Sequence, residues 1–175
     1  MKTCCLVVGH DMREQGAFSC SGESEFRFNS RLADVIEKRA VGVKIVRVWR
    51  EPRGYHKLPE AVNATGADLA VELHFNCANG LASGTETLCA AGSKAGAAAA
   101  KIFQTRMVEA LGLTSRGVKP TLGSGRGGLF LTKTAMPALI LEPFLGDNPS
   151  DWQRANSRFD ALAKAIAGAI AEVLP

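Results

Sequence analysis

Apolar positions along this chain alternate between short continuous runs and longer stripes spaced three and four residues apart. The run from Cys4 to His10 comes first and predicts a buried strand. From Glu25 to Arg39, Phe28, Leu32, Val35 and Ile36 share one face at helical spacing, which predicts a helix. Val43 to Trp49 is a β-branched second strand, Leu58 to Thr65 a short helix ended near Gly66, and Asp68 to Asn76 a third strand. Gly84 to Ala90 reads as a fourth strand, and the Ala-rich stretch Lys94 to Leu111 as the longest helix, stopped by Gly112. Leu129 to Lys133 and Ala138 to Phe144 read as two more strands. Phe159, Leu162, Ile166, Ile170 and Val173 then form the stripe of a closing amphipathic helix. Strands alternating with helices predict an α/β fold, a twisted, mostly parallel sheet with helices on both sides.

The 175 residues fit a single domain, 1–175, large enough to bury a core without disulfides. We find no linker, internal repeat or low-complexity tail. No apolar run approaches the ~20 residues of a membrane span. The start, Met1 to His10, lacks a small-residue cleavage site and reads as a first strand, not a signal peptide. The five cysteines are odd in number and show no Cys-x-x-Cys spacing. Reduced, structural thiols and synthesis in a reducing cytosol are the expectation. A net charge of +4 is too small for a dedicated nucleic-acid binder, yet it suits a polyanionic surface as substrate.

Candidate chemistry gathers where apolar runs give way to loop. His10 closes the first run, His74 sits near the end of the third, and Glu142 stands at the same kind of place in Pro137 to Phe144. Open α/β sheets build their sites at the C-terminal ends of parallel strands, so these three side chains point to a hydrolytic zinc centre. A catalytic zinc takes three protein ligands and leaves a position for water. His56, the third histidine, lies in a turn-rich segment from Arg50 onward and reads as a solvated loop residue. A carboxylate ligand could come from Glu25, which opens the first helix, or from Glu23, Glu14 or Asp11; spacing separates them only slightly. Glu142 interrupts so apolar a run that its desolvation calls for a charged partner or a task. Such surroundings raise its pKa into the range for general acid/base work. Glu72 is its rival, because it leaves the same strand face as His74 and could act as base or brace a ligand. Gly123 to Gly128 formally matches Gly-x-Gly-x-x-Gly, but its reading as a loop leading into a strand excludes a dinucleotide fingerprint. A mobile loop carrying Arg126, with Lys119 nearby, is the alternative.

Five short motifs carry a family resemblance: Gly9-His10, Glu25-x-x-x-Asn29, Glu72-Leu73-His74-Phe75-Asn76, Gly84-Thr85-Glu86, and Thr134-x-x-Pro137 through Phe144 with Asp147-Asn148. In this order and over nearly the whole chain, they resemble the zinc N-acetylmuramoyl-L-alanine amidases of the amidase-3 type, many of them phage endolysins or bacterial cell-wall hydrolases. The resemblance implies a phosphorylase/hydrolase-like architecture, zinc held by His10, Glu25 and His74, and Glu142 as catalytic acid/base. Two departures stand out. Many members have a Gly-Gly pair after the first histidine, where this chain continues Asp11-Met12-Arg13, and many have Ser-x-His-x-Asn where Glu72 stands here.

The implied reaction is hydrolysis of the amide between the lactyl group of N-acetylmuramic acid and L-alanine of the stem peptide. Peptidoglycan is then the partner, with Arg126, Lys119 and Arg116 as candidate contacts for stem-peptide carboxylates and Glu72 and Asn76 as supporting residues. No separate wall-binding domain is expected, nor nucleic acid, membrane insertion or an oligomer. A lytic protein made in the cytoplasm, reaching the wall once the membrane is permeabilised, is the expected setting. Another zinc amidohydrolase or carboxypeptidase, or an inactive peptidoglycan-recognition module, are the alternatives.

Overall fold

The computed structural model describes residues 1–50 and 54–175. Among the described residues, six strands form one sheet, β1 (Thr3–Val8), β2 (Lys44–Val48), β3 (Leu69–Leu73), β4 (Thr85–Ala90), β5 (Ser115–Thr121) and β6 (Ala138–Glu142). Six α-helices accompany them among the same residues: α1 (Glu25–Arg39), α2 (Leu58–Asn63), α3 (Lys94–Leu111), α4 (Gly128–Lys133), α5 (Pro149–Ser157) and α6 (Phe159–Val173). The strand order is β2-β1-β3-β6-β4-β5, and every pairing is parallel except β4 with β6. This is the expected mostly parallel α/β sheet.

The inner strands β1, β3, β6 and β4 are buried on both faces because each face meets a helical layer, whereas the edge strands β2 and β5 are partly exposed. Cys4, Leu6 and Val8 of β1 join a large core with α1, α3, α5 and α6, whereas Cys5 and Val7 join a smaller core with α2 and α4. The period of two in side-chain direction divides one apolar run between two cores. All five cysteines are free, and Cys4, Cys5 and Cys89 are buried. Among the described residues, no helix is long and apolar enough to cross a membrane.

The structure corrects three sequence expectations. Leu129 to Lys133 is not a strand but most of α4. An apolar run as short as Leu129-Phe130-Leu131 cannot by itself separate the two states. Here Phe130 and Leu131 bury one short helical face. Residues 115–121, left outside the expected strands, form the edge strand β5, whose exposed positions, Gly117 and Pro120 hide any alternation. The glycine-rich stretch therefore does follow a strand and open a helix, so the stated ground for excluding a dinucleotide fingerprint fails. What excludes it is topology: β5 is parallel to β4 and β6 antiparallel to it, so β5-α4-β6 is not the parallel βαβ unit the fingerprint requires. In addition, Cβ atoms on Gly127 and Gly128 would lie 2.1 Å from Ile140 Cδ1 and 2.3 Å from the Leu122 carbonyl oxygen. That loop is folded down on the sheet, and α4 is only six residues long. Helix α5 was also absent from the periodicity, although Asn148 caps it and Pro149 opens it, a legible start signal. Residues 51–53 of the expected turn lie outside the described residues, and His56 is exposed in a single 3-10 turn, Tyr55–Lys57.

An aromatic cluster locks helices to the strand ends. Phe28 of α1 is fully buried and meets Phe144 at 5.0 Å, Phe159 at 5.3 Å, Trp152 at 5.4 Å and Phe75 at 6.1 Å between ring centroids. Phe75 follows β3 and Phe144 follows β6, so this cluster sets α1 against the edge where the site lies. Phe28→Ala should cost about 3–5 kcal/mol, the range for deleting a buried aromatic ring. Urea unfolding, read by its midpoint at an unchanged slope, measures this.

Candidate metal centre

Three parallel neighbours, β1, β3 and β6, end side by side, and each delivers one functional side chain just at or past its end. His10 lies two residues beyond β1, His74 one residue beyond β3, and Glu142 is the last residue of β6. His10 adopts φ 67°, the left-handed region, which turns its ring back over the strand ends.

Glu25 comes from the opposite direction. Ser24 caps α1 by accepting from the Arg27 backbone N–H, and Glu25 is the first helical residue. Its carboxylate is buried and spans both imidazoles: Oε2 lies 3.1 Å from His10 Nε2, and Oε1 lies 2.6 Å from His74 Nδ1. The Ala17 and Phe75 backbone N–H groups donate to Oε2 and Oε1 at 3.1 and 3.2 Å. Of the acidic candidates, only Glu25 joins the histidines. Glu23 pairs with Arg31, Asp11 caps the turn of Arg13 and Glu14, and Glu14 is exposed.

Two glycines make this closeness possible. A Cβ on Gly9 would lie 2.5 Å from His74 Nε2, and one on Gly16, at φ +76°, would lie 2.5 Å from His10 Cδ2 and 2.6 Å from Glu25 Oε2. The site is thus pressed together by backbone that no side chain could share.

The far nitrogen of His74, Nε2, faces Glu72 Oε1 at 3.4 Å. Glu72 is fully buried on β3, and Arg50 donates to the same oxygen at 2.7 Å while stacking 4.6 Å over the Tyr55 ring. Burial alone would favour the neutral His74 ring, but the facing Glu72 and Glu25 carboxylates outweigh it and push the imidazole up to about 10. Burial likewise opposes ionisation of Glu25, and the two histidines overcome it, holding that carboxyl well below its usual range. The cluster stabilises a cation between its donors.

Glu142 is the exception in this group. It is 6% exposed, its Oε2 has no hydrogen-bond partner, and burial pushes it up to about 7 against the countering charge of His74. It borders the same cavity of about 350 Å³ as His10, Glu25, His74, Arg50 and Arg126. In the antiparallel β4–β6 register it stands opposite Glu86. Glu86, also buried, accepts from Asn76 Nδ2 at 2.9 Å and Arg116 Nε at 3.0 Å, and pairs with Arg126. Asn76 and Arg126 therefore adjoin the site through Glu86, which the sequence reading quoted in a motif without giving it a role. Lys119 is exposed on β5, outside the cavity lining.

The ligand atoms of His10, Glu25 and His74 lie within 4.8 Å of one another. Two imidazoles and a carboxylate are the donor set of a catalytic zinc site with an open position. Beside them, Glu142 forms no hydrogen bond or ion pair among the described residues, whereas Glu72, whose Oε2 is also unpartnered, is held through Oε1 by Arg50 and His74. These residues fit a zinc ion. Asp147 and Asp151, from the last motif and the helix after it, are structural: Asp147 accepts from the Ala78 and Gly80 N–H groups, and Asp151 from those of Gly84 and Leu145.

Solved structures repeat this architecture. Cwp6 from Clostridium difficile superposes with a TM-score of 0.88 at 22% identity, over 99% of this chain and 29% of that one. The catalytic domain of CwlV, an N-acetylmuramoyl-L-alanine amidase from Bacillus (Paenibacillus) polymyxa var. colistinus, gives 0.85 at 25% identity, covering 99% and 98%. The catalytic domain of the CD27L endolysin, which targets Clostridia difficile, gives 0.78 at 26% identity, covering 99% and 97%. No curated protein matches the chain in sequence. The Amidase_3 profile, described as N-acetylmuramoyl-L-alanine amidase, matches residues 4–172, and by that span this chain belongs to the N-acetylmuramoyl-L-alanine amidase family.

Proposed function

We propose that this protein is a zinc-dependent peptidoglycan amidase, cleaving the amide between the lactyl group of N-acetylmuramic acid and L-alanine of the stem peptide. The observation that carries this reading is a buried carboxylate, Glu142, that forms no hydrogen bond or ion pair among the described residues, unlike Glu72 with its Arg50 and His74 partners, and shares one cavity with the His10, Glu25 and His74 donor cluster. His10, Glu25 and His74 would hold the metal. When bound, zinc lowers the pKa of a water toward ~7 and polarises a carbonyl.

Every other task falls to the chain. Glu142, raised by burial to about 7, takes the proton of the attacking water and returns it to the departing alanine nitrogen. Glu72 accepts from the far nitrogen of His74 and so fixes the ring, while Arg50 compensates the Glu72 charge. Asn76 steadies Glu86, and Arg126 reaches the cavity as a contact for substrate carboxylates. Lys119, farther out on β5, would meet only an extended substrate.

A lytic role fits as well. Five free thiols suit synthesis in a reducing cytosol, with the wall reached after the membrane is opened. Cells expressing the protein should stay intact until permeabilised and then lyse; spontaneous export or a need for disulfides would overturn this role.

Chelation should abolish turbidity loss of purified walls and zinc should restore it, with new amino-terminal L-alanine identified by mass spectrometry. Full activity in metal-free protein would exclude the mechanism. The metal-loaded form should melt higher, by the equivalent of about 2.7 kcal/mol at a free zinc concentration 100 times Kd.

Glu142→Gln should keep zinc yet lose about 10²-fold or more in kcat, the usual share of a general acid/base. Glu25→Gln and His74→Ala should lose metal instead, measured by zinc content. An active Glu142→Gln beside a dead Glu72→Gln would reverse the roles of the two carboxylates. Zinc and wall binding without cleavage would favour a recognition module.

A further inference from the structure

The two sides of the metal cavity differ in chemistry. Toward β2, at one edge of the sheet, Trp49 follows the strand end and is 41% exposed. Phe26 meets the Trp49 ring edgewise at 6.1 Å, and the Arg47 guanidinium lies 4.8 Å from its centroid. A second depression of about 340 Å³ lies here, lined by Asp11, Met12, Phe26, Trp49 and Arg50. Arg50 also lines the metal cavity, so the two depressions share a wall. This side offers an indole, a thioether, one carboxylate and the Arg50 guanidinium, which is already engaged by Glu72.

Toward β4 and β5, the opposite edge, two guanidiniums share Glu86, which has Glu142 opposite it in register. Glu86 is buried between Arg116 and Arg126, so Arg126 is not its only guanidinium partner. The Arg126 side chain is 51% exposed and lines the metal cavity. Glu86 would keep Arg116 and Asn76 if Arg126 turned its fork toward a ligand.

We propose that the substrate lies across the strand ends in one direction, its neutral saccharide over Trp49 on the β2 side and its stem-peptide carboxylate against Arg126 on the β4 side. This rests on the amidase reading, and the scissile amide of that substrate joins two halves of the same contrasting chemistry. A pyranose offers an apolar C–H face to an indole and hydroxyls to Asp11 at the rim. A peptide carboxylate matches the planar fork of Arg126. The inverted direction would bring the anion toward Asp11 and an Arg50 already engaged by Glu72, and leave the half-exposed Arg126 fork facing a neutral sugar.

Binding of the two halves tests this without turnover. The probes are N-acetylglucosamine tetrasaccharide, which is neutral, and a tripeptide beginning L-alanyl-D-glutamate, in free and in amidated form. They are titrated by NMR into the zinc-loaded Glu142→Gln protein. The saccharide should shift the Trp49 indole N–H resonance and leave that of Trp152 in place. Trp49→Ala should weaken saccharide binding about tenfold and Arg126→Ala should weaken the free-acid peptide about tenfold, each sparing the other ligand within about twofold. Trp49→Phe should recover most of the saccharide affinity, and the amidated peptide should ignore Arg126→Ala. Retained binding of the second ligand shows each variant folded. Interchanged sensitivities, insensitivity of both ligands, or no binding of either half would overturn the proposal. Failure of the amidase reading registers separately, as wild-type protein that releases no L-alanine amino termini from walls.

Discussion

Glu25, Glu72 and Glu142 are all buried around one end of the sheet, and the rest of the site is arranged to meet their charge. Removing an ionised carboxylate from water is expensive unless a cation or strong donors replace the solvent. Each of the three is answered differently. Two imidazoles and two backbone N–H groups surround Glu25. Arg50 and the far edge of His74 compensate Glu72. Glu142 has no such pairing, and its burial shows as a raised affinity for a proton. Neighbouring carboxylates thus differ in charge state and partners by environment alone, the basis for the separate roles proposed for them.

That division depends on backbone placement. Parallel pairing of β1, β3 and β6 sets their ends at one level, and the aromatic cluster around Phe28 presses α1 toward them. Gly9 and Gly16 then allow imidazole and carboxylate to close within contact of the chain. Strand β4 runs antiparallel to β6, which stands Glu86 beside Glu142. The two arginines on Glu86 prevent a direct conflict between like charges and supply the cationic flank.

Departures from the family pattern become intelligible in this setting. Where many members carry a serine, Glu72 adds a full negative charge behind His74, and Arg50, one residue past Trp49, compensates it. The same arginine forms the wall between the metal cavity and the Trp49 depression. The partner that compensates Glu72 and the wall between the two depressions are therefore one side chain.

Much of this was legible in the sequence because its signals are local. Periodicity marked α1, α3 and α6 to the residue, and buried runs marked the strands that end at the site. A carboxylate inside Pro137 to Phe144 marked Glu142 as a buried acid, since apolar neighbours in sequence remain apolar neighbours in a strand. The elements that escaped, β5, α4 and α5, are short or lie at an edge, where hydrophobic period is weak. Residue spacing could not select Glu25 over Glu23, Glu14 or Asp11; only the family resemblance did so. The physical selection is tertiary, because a helix N-terminus is brought to two strand ends that lie 15 and 49 positions away along the chain. The roles of Glu86 and Arg50 were equally out of reach, since each is defined by charges on other strands and loops. Residue types and their local rhythm determined the fold class and the stock of chemical groups. Their protonation, partners and opposed flanks were decided by the tertiary structure, because electrostatic energy depends on distance through space and on burial, and neither is written in the order of residues.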